Sequence, residues 1–149
     1  PNFTWTTDGS FIHIISTALA SRPDYQMNSV IEHISAKDVD RNTLIKLALA
    51  QVEKNNISEP LIFLEYPYAK NNIIFDPPKI SIDMKHATLR EVLDKISRKA
   101  GICYRVTRGK NFENPVYASR VPYGSYALWL IVMEDYVPRI GPRNQIQNH

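Results

Sequence analysis

Cysteine is almost missing: Cys103 stands alone among 149 residues, so neither an intrachain disulfide nor a cysteine-based zinc site can form. Glycine is scarce, at five residues, whereas proline reaches ten. The loops therefore read as stiff rather than linker-like. No apolar run approaches the roughly 18 residues needed to span a bilayer. The longest, Tyr126 to Met133, is of strand length. Catalytic signatures are missing too, with no G-x-S-x-G, G-x-x-x-x-G-K or G-x-G-x-x-G. His13, His33, His86 and His149 are scattered and form no H-x-H or H-E-x-x-H pair. Glu32 and His33 are adjacent, but neighbours in sequence point in different directions on a helix or a strand. Cys103 and His86 could in principle form a thiol–imidazole pair. Cys103 alternates with Ile102, Tyr104 and Val106, however, which reads as a partly exposed structural thiol. Asp38 and Asp40 read as carboxylates at a helix start rather than an acid–base dyad. The expectation is a protein without catalysis, cofactor or metal.

What remains is an ordinary globular composition, 44% apolar, enough for one domain or two very small ones. The chain opens at Pro1 without a Met, as a processed or excised segment does, so compartment cannot be read from its start. Asn2-Phe3-Thr4 and Asn56-Ile57-Ser58 match the glycosylation triplet, a pattern that arises readily by chance. The formal charge of +3 is unevenly spread. Residues 1–75 hold six Lys or Arg against eight Asp or Glu, and residues 76–149 hold twelve against seven. Between Lys85 and Lys110 eight bases face only Glu91 and Asp94. That stretch is either a solvated helix face or a surface for an anionic or acidic partner.

Asp76-Pro77-Pro78 is the clearest punctuation, because each proline fixes its own φ and biases the residue before it toward extended backbone. It divides an N-terminal α/β region, residues 1–75, from residues 76–136, with 137–149 as a frayed, flexible tail. One continuous fold and two domains both remain open. In the first region Phe11, Ile12, Ile15, Ala18 and Leu19 fall on one stripe, which predicts a helix over 11–20, capped by Asp8 or Ser10. A second helix is expected over 42–55 and a strand over 61–66, while Val30 to Ile34 fits either type.

After the prolines, Ile80, Ile82 and Met84 alternate with polar residues, predicting a strand over 80–85. Thr88 and Glu91 make a capping box for a helix over 88–100, with Leu89, Val92, Leu93 and Ile96 on its core face. Gly101 is placed for a left-handed cap. Strands are then expected over 102–107 and 125–134, with another possible at Val116-Tyr117. The fold class is α+β: a small mixed sheet packed against two or three helices, with a strand–helix–strand unit at 80–107.

The segment KISIDMKHATLREVLDKISRKAGICYRV resembles the short N-terminal (STN) domain of secretins and TonB-dependent receptors. The likeness rests on Ile80, Ile82, Met84, Thr88, Leu89, Leu93, Gly101 and Tyr104 and covers about residues 79–107. Asn111 to Tyr123, rich in Pro, Asn and Tyr, departs from the family pattern, and residues 1–75 fall outside it. Thr43-Leu44 with Leu47 and Ala48 echoes Thr88-Leu89 with Val92 and Leu93, which would fit successive small α/β modules. The resemblance implies a periplasmic module of an envelope transport or signalling system that docks another protein, an envelope component. Lys99, Arg105, Arg108 and Lys110, the bases farthest from Glu91 and Asp94, are the expected partner-binding residues, beside a sheet edge able to accept a strand. The alternative is a single-stranded nucleic-acid-binding domain using Lys85 to Lys110, with Tyr104 and Phe112 as stacking rings.

Overall fold

The computed structural model describes residues 2–8, 11–53, 61–64, 78–108 and 126–132. In chain order they form β1 (Phe3–Asp8), β2 (Phe11–Ser16), the one-turn α1 (Thr17–Ala20), a 3₁₀ turn (Gln26–Asn28), β3 (Val30–Asp40) and α2 (Arg41–Glu53). There follow β4 (Leu61–Leu64), β5 (Lys79–Thr88), α3 (Leu89–Ala100), β6 (Ile102–Arg108) and β7 (Tyr126–Val132). This is an α+β fold, as the patterning indicates.

The third helix follows from its caps. The Glu91 amide donates to the Thr88 hydroxyl at 3.3 Å, and the Thr88 amide donates to the Glu91 carboxylate at 2.7 Å. Two orphan donors of the first turn are thus satisfied reciprocally. At the other end Gly101 takes the left-handed conformation, φ 63°, and its amide returns to the Ser97 carbonyl. A side chain with Cβ would be strained there. Between the caps Leu89, Val92, Leu93 and Ile96 are buried.

The second helix begins at Arg41, within one residue of the expected start. Asp40 is its cap, accepting the Thr43 amide at 2.9 Å and the Thr43 hydroxyl as well. These bonds hold the Asp40 carboxyl below its usual range. Buried positions of α2 then recur 48 residues later: Arg41 corresponds to Leu89, Leu44 to Val92, Ile45 to Leu93, Ala48 to Ile96 and Leu49 to Ser97. The echo that aligns Thr43 with Thr88 is therefore off by almost one turn, and Leu47 is 45% exposed rather than core.

The same spacing relates the strands. β3 and β5 pair antiparallel, with an irregularity between Ala36 and Val39. β4 runs parallel to β7, which pairs antiparallel with β6. α2 packs on β3, α3 packs on β5, the helices touch each other, and they also meet β4 and β6. The helix pair thus lies between a two-stranded and a three-stranded sheet. Its core draws Ile31, Leu44, Ile45 and Leu61 from before the prolines and Ile80, Leu93, Ile96 and Leu128 from after them.

One expected element is replaced. Residues 11–20 are not a helix: Phe11–Ser16 is a strand that pairs with Phe3–Asp8 from Phe3↔Ser16 to Asp8↔Phe11, and only Thr17–Ala20 is helical. Ile12, Ile14 and Ile15 are β-branched and suit a pleated surface. The partner strand decides between two periods that this short segment satisfies almost equally. Val30 to Ile34 resolves as strand, β5 extends through Thr88, and residues 65–66, Val116-Tyr117 and 137–149 lie outside the described residues.

Candidate docking groove

Between the β1–β2 hairpin and the β6 side of the molecule lies a cavity of about 570 Å³. Its walls are Ile12 to Ser16 of β2 and Cys103 to Val106 of β6, and Leu19, Met27 and Arg90 also line it. That volume falls in the roughly 300–1,000 Å³ range of ligand pockets, and its lining mixes apolar and polar side chains.

Two lining residues, His13 and Tyr104, are joined behind the walls by a polar staple across three elements. Asp94, on α3, is buried at 6% exposure. It accepts the Tyr104 hydroxyl from β6 at 2.8 Å, and His13 Nε2 of β2 lies 3.4 Å from its other oxygen. Burial raises the Asp94 carboxyl above its usual range, opposed by the Tyr104 hydrogen bond and by the charges of His13, Arg90 and Arg98. The Tyr104 phenol is pushed far up, first by burial and then by the Asp94 charge. Nearby Tyr25, buried and meeting Tyr126 edge-on at 5.3 Å, is raised to about 12, chiefly by burial. Both phenols are therefore neutral at physiological pH.

Two cations meet this site. Arg90 is held by a second network: its guanidinium donates to Asn28 Oδ1 at 3.0 Å, and Asn28 Nδ2 donates to the carbonyls of Leu19 and Arg22 at 3.1 and 2.8 Å. Arg105 is exposed on β6 and lines the cavity wall. Of the four bases singled out by sequence, Arg105 is at the groove. Lys99 is exposed in the last turn of α3 and is not a groove-lining residue. Arg108 ends β6 but its side chain lies outside the described residues, as does Lys110 altogether.

Sequence reasoning missed Arg90, His13 and the hairpin wall. Arg90 looked neutralised by helix carboxylates, yet Glu91 serves the capping box and Asp94 faces Tyr104 and His13. The overlooked signal was Asp8-Gly9 between two apolar alternations, which is a hairpin cue. Two other histidines pair elsewhere on the surface, His33 with Asp83 at 2.7 Å and His86 with Glu32 at 2.9 Å. Among the described residues no cluster of His, Cys, Asp or Glu could hold a metal ion. No family model, curated protein or solved structure matches this chain.

Proposed function

We propose that this chain is a non-enzymatic docking module, which takes an acidic segment of another protein at the groove beside β6. The resemblance of residues 79–107 to the STN domain is what supports an envelope component as the partner and the periplasm as the compartment. The observation that carries the reading is the groove itself: a trough of mixed apolar and polar lining against β6, an edge strand among the described residues, with Arg90 and Arg105 beside it. Edge strands offer unpaired backbone groups to an incoming strand, and cations nearby select acidic partners. Among the described residues no helix is long and apolar enough to cross a membrane.

The nucleic-acid reading needs exposed rings for stacking. Tyr104 is half-buried with its hydroxyl committed to Asp94, and Phe112 lies outside the described residues. The geometry gives that reading no added support. Titration separates the two. A fluorescent peptide alternating valine and glutamate should bind with an association rate that falls as salt rises. A labelled single-stranded oligonucleotide should show only weak binding, in the range of about 10⁻⁴–10⁻⁶ M expected of non-specific contacts. Tight oligonucleotide binding that persists at physiological salt, with none to the peptide, would overturn the docking reading.

A further inference from the structure

Successive side chains of a strand point to opposite faces, and directly paired residues of an antiparallel ribbon share a face. The β1–β2 register runs without a shift from Phe3↔Ser16 to Asp8↔Phe11. One face of this hairpin therefore carries Thr4, Thr6, His13 and Ile15, and the other carries Phe3, Trp5, Thr7, Ile12, Ile14 and Ser16. The His13 side chain is 11% exposed and lies 3.4 Å from the buried Asp94. Its face is thus the one turned to the body of the molecule.

A ribbon with one face on a core normally turns its apolar residues in and its polar ones out. This hairpin does the reverse. Phe3, Trp5, Ile12 and Ile14 are 60–72% exposed on the outer face. Together they expose on the order of 500 Å², taking roughly 150–250 Å² for a large side chain. The largest patches of soluble monomers reach roughly 300–600 Å² and often serve function. Two observations say what covers this one. Phe3, Ile12 and Ile14 also line the groove, so the face and the groove are continuous. Arg90 and Arg105 line that groove too, which sets a cationic site beside an uncharged face. A second copy of the chain would bring the same arginines toward each other.

We infer that the docked acidic segment carries large apolar residues beside its carboxylates. These cover Phe3, Trp5, Ile12 and Ile14 while the carboxylates meet Arg90 and Arg105. This rests on the docking reading and deepens it: the recognised element is acidic at one end and aliphatic or aromatic at the other. The two parts act on different rates. Charge speeds encounter, whereas the apolar contact slows release.

The test titrates the full chain with end-blocked peptides in which two glutamate–valine pairs are preceded or followed by leucine–phenylalanine–leucine. Serines replace the three apolar residues in one control, and lysines replace the glutamates in another. The better leucine–phenylalanine peptide should bind at least about tenfold more tightly than its serine control, chiefly through slower dissociation. It should also outbind its lysine control. On binding it should shift the tryptophan emission to the blue, a shift that Trp5→Phe removes. Trp5→Thr with Ile14→Thr changes exposed strand positions to a residue that suits a strand. That variant should keep the parent's unfolding midpoint and lose the tenfold gain.

Equal binding of the leucine–phenylalanine and serine peptides, with the glutamates still required, would overturn the proposal and leave acidic docking standing. So would a gain that persists in the folded double-threonine variant. No binding by any glutamate peptide, or equal binding by the lysine control, would overturn both readings. A dimer in sedimentation that the threonine variant breaks would assign the face to a second copy. Partition onto phosphatidylglycerol vesicles, lost in that variant and with no gain between the peptides, would assign it to a bilayer. A Trp5 already shielded from acrylamide in the free monomer would assign it to the chain itself. Each of these three results also overturns the proposal.

Discussion

The Tyr104 hydroxyl donates to Asp94 at 2.8 Å, so a wall of the groove is bonded to a buried carboxylate on α3. Removing that donor leaves a charged acceptor short of a partner. Tyr104→Phe should therefore lower stability by about 1.5–3 kcal/mol, the usual worth of a hydrogen bond to a charged group. Urea unfolding measures it directly. A loss under about 0.5 kcal/mol would mean that water replaces the phenol without penalty.

Asp94 also gives a pH dependence with a definite sign. Its folded pKa is raised above 3.8, chiefly by burial. The folded state therefore holds this proton more tightly than the unfolded state does. Asp94 disfavours folding when both states are ionised, and stability rises as pH falls through the folded pKa toward 3.8. Asp24 and Asp40, lowered by hydrogen bonds from Arg22 and Thr43, act in the opposite sense. The difference between the parent chain and Asp94→Asn isolates the term. The parent should gain on the variant as pH falls from 7 toward 4, and a constant difference would refute the assignment.

Asp38 and His86 share an unusual backbone, with φ of 53° and 50°, each two residues before a helix cap. Each is also tied across the β3–β5 pair: Asp38 exchanges bonds with Ser81, and His86 meets Glu32. Asp and His tolerate this region, and a β-branched residue does not. Asp38→Val and His86→Val should each cost about 1–2 kcal/mol, while the glycine variants stay within about 1 kcal/mol of the parent. Equal effects of Val and Gly would show that the left-handed turn is not required.

The caps of α3 make a further check. Replacing Thr88 and Glu91 together by Ala should cost on the order of 1–2 kcal/mol. An unchanged denaturation midpoint would count against the capping box as a stabilising element.

How much of this could be read from the chain alone depended on whether the signal was local. The Thr88–Glu91 box, the stripe of Leu89, Val92, Leu93 and Ile96, and Gly101 all act within one helix, so α3 and its flanking strands were legible. β2 was not, because Phe11, Ile12 and Ile15 satisfy a helical stripe as well as a strand. Only pairing with Phe3–Asp8 settles the matter. The start of α2 was legible to within one residue, with Asp40 at the helix start as expected of a carboxylate there; only the echo of Thr43-Leu44 with Thr88-Leu89 was misaligned. The groove was the least legible part. Behind its walls Asp94 meets His13 and Tyr104 across three elements, and no spacing in the sequence announces that meeting. Arg105 was legible as an exposed base on a strand, but Arg90 needed its Asn28 contact to be placed.

Charge reversal at Arg105 is the most direct test of acidic docking at the β6 edge. Arg105 is exposed, so Arg105→Glu should leave the unfolding midpoint within about 0.5 kcal/mol of the parent's stability. Titrated side by side, the parent chain should bind the valine–glutamate peptide at least about tenfold more tightly than the valine–lysine peptide, a difference of about 1.4 kcal/mol. In Arg105→Glu that preference should collapse or reverse. A folded variant that keeps the full preference for glutamate would contradict the account, because the acidic segment would then be recognised somewhere other than this groove.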